Sequence, residues 1–120
     1  MVTLEHNLNR IDEMYGFKKN WNLYGANPIP KETLDLTKKI LKELTIQPEV
    51  FPTGASTIQL KYEKGSNYLE IELYGNKLKV FLIDGNHEES FNMKTRYRFK
   101  ELDSIVDYIN FLIEEYVKEW

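Results

Sequence analysis

Apolar residues recur every three or four positions in the first third of the chain, at every second position from Ser56 onward, and at the longer period again near the C-terminus. Leu4, Leu8, Ile11 and Tyr15 line one stripe between about Thr3 and Lys19, which predicts an amphipathic helix whose last turn is weakened by Gly16. A second helix is predicted to start at Pro30, since proline suits the first helical position, and to end before Pro48. Its stripe is Leu34, Thr37, Leu41 and Leu44, with Ile40 beside it. The stretch "TIQPEVFPTGAS" then holds two prolines and a glycine and is expected to cross to a sheet without regular structure.

The period of two predicts strands. Ile58, Leu60 and Tyr62 alternate with Gln59, Lys61 and Glu63; Leu69, Ile71 and Leu73 alternate with Glu70 and Glu72; Leu78, Val80 and Leu82 continue the pattern. Reading Gly65-Ser66 and Gly75-Asn76 as two-residue hairpin turns opposes Leu60 to Ile71 and Ile71 to Val80. Both turns keep every apolar pair on one face, and a slip of one residue would break that agreement. A fourth strand, "SFNMKTRYRFK", follows the loop "DGNHEE". A last helix runs from Asp103, a good cap, to near Trp120, with Ile105, Val106, Ile109, Leu112, Ile113, Tyr116 and Val117 on its apolar side. The expected fold is therefore a single α+β domain over residues 1–120, of order ααββββα. It is a four-stranded antiparallel meander with the helices packed on one face.

Composition narrows the chemistry. Cysteine is absent, which removes disulfides, thiolate nucleophiles and cysteine metal sites and suits a reducing cytoplasm. No signal pattern and no apolar run of membrane-spanning length is present, so no membrane role is expected. A net charge of −3 weighs against a dedicated nucleic-acid binder, and aromatics at 13% raise the expectation of a contact surface. Asp84, Asn86 and Glu88 alternate like the start of a calcium loop. Glu89 and Thr95, however, stand where that loop needs a glycine and a bidentate glutamate, so "DGNHEE" reads as a polar hairpin loop. His6 reads as an exposed helix residue, the serines fall in no nucleophile-elbow pattern, and the glycines form no phosphate loop. Glu70 and Glu72 share a strand face but stand opposite Lys61 and Lys79, as cross-strand ion pairs rather than an acid/base couple. No catalytic residue, metal or cofactor is expected.

The fourth strand carries Lys94, Arg96, Arg98 and Lys100 at alternate positions, so an extended chain puts them on one side. Pairing with the third strand sets Lys79 opposite either Lys94 or Arg96, an unfavourable meeting of like charges. The plain reading is a solvated basic edge that discourages aggregation. The functional reading is a docking face for an acidic surface, with Phe81, Tyr68 and Tyr74 supplying apolar area. On the last helix, Phe111 falls on the polar side beside Asp107 and Glu115 and is a second candidate anchor.

The loop "NWNLYGANPIP" is apolar for a connection, and Trp21, Leu23 and Tyr24 are expected to fold over one end of the core with Trp21 as a plug. The run W-x-x-x-G-A-x-P at Trp21 to Pro28, a helix, and then "FPTGASTIQLKYEKGSNYLEIEL" resemble small, largely uncharacterised bacterial and phage proteins with a P-T-x-x-G-x-I-Q-L strand motif. The resemblance covers about Trp21 to Leu82, and this chain carries Asn22-Leu23 where an acidic residue and a glycine are more usual. It implies an α+β fold and a mobile-element or accessory gene, and no activity. The expected function is non-enzymatic binding of another protein with an acidic surface, as an antitoxin, immunity or anti-defence type inhibitor. The expected contacts are Lys79, Phe81, Lys94, Arg96, Arg98 and Phe111. The alternative is a nucleic-acid-binding accessory module using the basic strand.

Overall fold

Local chemistry decides where each element starts and stops in the computed structural model, which describes residues 2–75, 77–85, 92–98 (backbone only) and 102–120. Helix α1 spans Leu4–Met14, and the Thr3 hydroxyl caps it by accepting the His6 N–H at 3.1 Å. It ends before the predicted Lys19. The amides of Gly16 and Phe17 turn back to the carbonyls of Glu13 and Met14, both at 3.1 Å, and glycine's backbone freedom opposes a further turn. Helix α2 spans Lys31–Leu41. Pro30 is its cap rather than its first helical residue, and its carbonyl accepts from the amides of Thr33 and Leu34 at 3.0 and 3.2 Å.

Strand β1, Glu49–Pro52, forms where an irregular crossing was expected. Proline is excluded from central strands but tolerated on an edge, where its missing N–H points away from any neighbour. Pro48, Val50 and Pro52 share one parity, and on that side the Val50 carbonyl accepts from Arg10 Nε of α1 at 3.0 Å. Asn7 of the same helix donates to the Pro48 carbonyl at 2.9 Å and to Gln47 Oε1 at 3.0 Å. Helix α1 thus lies along the outer edge of β1.

Strands β2 (Ile58–Lys64), β3 (Asn67–Tyr74), β4 (Lys77–Ile83) and β5 (Asn92–Arg98) follow, and the five-stranded sheet runs β1-β2-β3-β4-β5 with every pair antiparallel. Leu60 stands opposite Ile71 and Ile71 opposite Val80, the register that the alternation predicts. Gly65 and Gly75 hold φ of +62° and +61°, the left-handed backbone that tight hairpins require of their first loop residue. Helix α3 spans Leu102–Glu115, with Asp103 in its first turn, and tightens into a 3₁₀ turn at Val117–Glu119. The fold is α+β: two helices, an antiparallel meander, then a helix. The meander has five strands rather than four because β1 joins it.

Ile58, Leu60, Leu69, Ile71, Leu73, Leu78, Val80 and Leu82 are all buried, together with Ile11 and Met14 of α1, Leu34, Ile40 and Leu41 of α2, and Ile105, Ile109, Leu112 and Ile113 of α3. The alternate residues Gln59, Lys61, Tyr68, Glu70, Glu72, Lys79 and Phe81 are only half-buried. All three helices therefore cover the same face of the sheet. Side chains lock the connections to it. Tyr62 Oη donates to the Ile46 carbonyl at 2.5 Å, and Asn110 of α3 accepts the Thr45 N–H and donates to the Glu43 carbonyl, both at 3.0 Å.

Ile71 is fully buried at the centre of this face. Ile71→Ala is expected to cost about 2–5 kcal/mol and Ile71→Val about 0.5–1.5 kcal/mol, measured by urea unfolding. An alanine variant as stable as the parent would place the centre of the core elsewhere.

Candidate functional site

The sheet face away from the helices carries an aromatic pair. Tyr68 on β3 and Phe81 on β4 meet edge to face, with centroids 6.1 Å apart and planes at 70°. Tyr68 Oη donates to Glu70 Oε1 at 2.7 Å. Burial raises the Tyr68 pKa, and the bond to Glu70 raises it further, so the phenol stays a neutral donor through the ordinary pH range. Lys61 Nζ stands 5.8 Å from the Tyr68 ring centroid and 5.4 Å from that of Phe51, within cation–π range of both. Tyr68 and Phe81 form part of an open hollow of about 540 Å³, completed by Glu63, Gly65, Ser66, Glu70, Lys79 and Ile83.

Two predicted contact residues, Lys79 and Phe81, share this hollow. The register sets Arg96 opposite Lys79, Arg98 opposite Lys77 and Lys94 opposite Phe81, so the strand positions of the three basic residues match the open face. Their side chains, with Lys100, His87 and the rest of residues 86–91, lie outside the described residues. Phe111 is 55% exposed, as its place on the helical stripe predicts, but α3 packs on the far side of the sheet, so it does not join the hollow. The expected ion pairs of Glu70 with Lys61 and Glu72 with Lys79 do not form. Glu70 accepts the Tyr68 hydroxyl, Glu72 accepts the Thr57 hydroxyl at 2.7 Å, and Lys61 pairs with Glu63 at 3.8 Å. Among the described residues no carboxylate pairs with Lys79, and no three His, Asp or Glu side chains gather as metal ligands. Among those residues, too, no helix is long and apolar enough to cross a membrane.

The loop before α2 departs from expectation. Trp21 is half-buried rather than a full plug: it stacks on Phe17 with centroids 4.8 Å apart and planes at 22°, and its Nε1 donates to the Asn27 carbonyl at 2.8 Å. Leu23 and Tyr24 do not fold inward at all; they are 84% and 91% exposed. Two asparagines shape the turn that projects them. Asn22 Oδ1 accepts the N–H groups of Tyr24 and Ala26 at 2.9 and 3.1 Å, and Asn20 Oδ1 accepts that of Gly25 at 2.8 Å. The Asn20 N–H closes the loop on the Ala26 carbonyl at 2.7 Å, and Ser56 Oγ ties Asn27 to the β1–β2 turn at 3.2 Å. Asn20, Leu23 and Gly25 hold φ of +70°, +67° and +82°. Glycine and asparagine adopt this region readily; leucine does not. The signal in the sequence was the pair of asparagines before Gly25, whose short amides build local turns.

Compared with known proteins, the chain matches no protein family, no curated protein and no solved structure.

The left-handed backbone costs leucine about 1–2 kcal/mol, while glycine in its place would lose about 0.5–1 kcal/mol in chain entropy. Leu23→Gly is therefore expected to leave stability unchanged or raise it by up to about 1.5 kcal/mol in urea unfolding. Asn22→Ala should lower it by about 1–2 kcal/mol through two lost backbone partners. A clear loss in the glycine variant would mean that the Leu23 side chain supports the fold.

Proposed function

We propose that this chain is a non-enzymatic domain that binds another protein through the open face of its sheet. One observation carries the reading: the helices cover a single face, and the opposite face presents the Tyr68–Phe81 pair beside Lys79, which has no carboxylate partner among the described residues. Aromatic side chains supply large contact area at small entropic cost, and a cation beside them that makes no ion pair with a described carboxylate favours an acidic partner. The strand positions of Lys94, Arg96 and Arg98 extend the same charge across β5. A small cytoplasmic inhibitor of the antitoxin, immunity or anti-defence kind, acting on a bacterial or phage protein, suits this chemistry and the absence of cysteine. The row of basic positions also supports a second reading, an accessory module that binds nucleic acid through its phosphates.

Calorimetric titration of the partner purified from the source cell, at two salt concentrations, tests the first reading against the second. Phe81→Ala is expected to weaken binding at least tenfold with little change in salt dependence, and Lys79→Glu to weaken it by a similar factor with a smaller salt slope. Reversing Arg96 and Arg98 to glutamate should add to the loss. If all three variants bind as the parent does, the sheet face is only a solvated surface. A preferred oligonucleotide ligand whose affinity collapses with added salt would instead establish the second reading.

A further inference from the structure

We infer that Leu23 and Tyr24 form a preformed anchor that inserts into an apolar socket, rimmed by carboxylates, on a partner protein. Neither side chain serves the fold, since both project into water from the tip of the loop. Leu23 also occupies a left-handed backbone that glycine would hold without strain. The position thus carries a side chain that is costly in the free protein and is covered by no described neighbour.

The loop is fixed before any partner arrives. Asn22 and Asn20 between them hold the amides of Tyr24, Gly25 and Ala26, the Asn20–Ala26 backbone bond closes the turn, and Phe17 supports it through Trp21. A tip ordered in advance loses little conformational entropy on binding, the condition under which a leucine and a tyrosine make an effective anchor. Its flanks along the chain are basic: Lys18 and Lys19 are exposed, and no acidic residue occurs from Met14 to Lys31 in a chain whose net charge is −3. A protruding apolar tip with basic flanks is complementary to a recess with acidic edges.

That geometry argues for a protein over other surfaces. A fluid bilayer adapts to any arrangement of two side chains and gains nothing from a strained, hydrogen-bonded turn. A nucleic acid would use the lysines and the Tyr24 ring but leave Leu23 without a role. The tip is also separate from the sheet hollow. The loop is tied to the turn just before β2 through Ser56, and neither that turn nor any residue of the loop lines the hollow, which lies on the face of β3 and β4 and meets β2 at its far end, at Glu63. Substitutions at one site leave the other intact, so this inference and the sheet-face reading fail independently.

The test uses a random-peptide display library panned on the intact protein, with the enriched peptides titrated by calorimetry. Enriched peptides are expected to combine apolar or aromatic residues with Asp or Glu. They should bind the parent and Phe81→Ala alike, and lose at least tenfold on the L23S/Y24S double variant. On a K18E/K19E variant they should lose several-fold, an effect that fades as salt rises. Unchanged melting of L23S/Y24S shows that the loss is one of contact, and Leu23→Gly, which keeps the backbone, should lose affinity too. The inference is overturned if no peptide is enriched, or if the enriched peptides bind L23S/Y24S as they bind the parent. It is equally overturned if L23S/Y24S abolishes binding to phosphatidylserine vesicles or to oligo-dT while peptide affinity is unchanged. Concentration-dependent self-association in sedimentation that disappears in L23S/Y24S would make the occupant a second copy of the chain, and would overturn it as well.

Discussion

A sheet with period-two alternation must hide one face and leave the other polar, and here that single demand organises the molecule. Leu60, Ile71 and Val80 stand side by side across β2, β3 and β4 with no exposure, so each contributes roughly 1.5–3 kcal/mol only while something covers it. The cover is the apolar stripes of all three helices, which converge on those residues. Register and helix placement are thus one constraint: a slip of one residue would turn Glu70, Glu72 and Lys79 toward the helices and leave charges buried without partners. With every helix committed to one side, the far face stays open.

The register was legible because two independent signals agree, the alternation and the glycines at positions 65 and 75. Strand β1 was not, because Pro48 and Pro52 were read as breakers. Proline rules out only those strand positions whose N–H must pair, and which positions those are depends on a helix distant in sequence. The loop failed for a related reason. Its apolar composition suggested burial, but the side-chain amides of Asn20 and Asn22 make a self-contained turn that holds Leu23 and Tyr24 outward. At the candidate site, parity alone placed Lys79 and Phe81 together. The partners of the carboxylates were hidden, because Thr57 and Tyr68 reach Glu72 and Glu70 through packing that a register does not encode.

The two exposed features differ in kind. The hollow on the sheet is built from side chains that also serve the structure: Tyr68 is half-buried, holds Glu70 and carries Lys61 over its ring. Contact there would use a surface that the fold already maintains. The loop tip instead keeps backbone strain next to side chains that stabilise nothing within the chain. Strain at an exposed, otherwise well-bonded position persists against the trend of stability, and departures of that sort concentrate where a protein meets something else.

The two edges of the sheet are chemically unequal. Along β1, positions 48 and 52 are prolines and lack an N–H, so that Val50 alone of the three outward-facing residues keeps one, and α1 takes the carbonyls of Pro48 and Val50. Few outward groups remain on that side for a foreign strand to pair with. Among the described strands β5 forms the other edge of the sheet, and joining two copies there would use that edge of both. A pair joined in that way would present only its two β1 edges, and the prolines and α1 there oppose the unlimited stacking by which exposed sheets become fibrils.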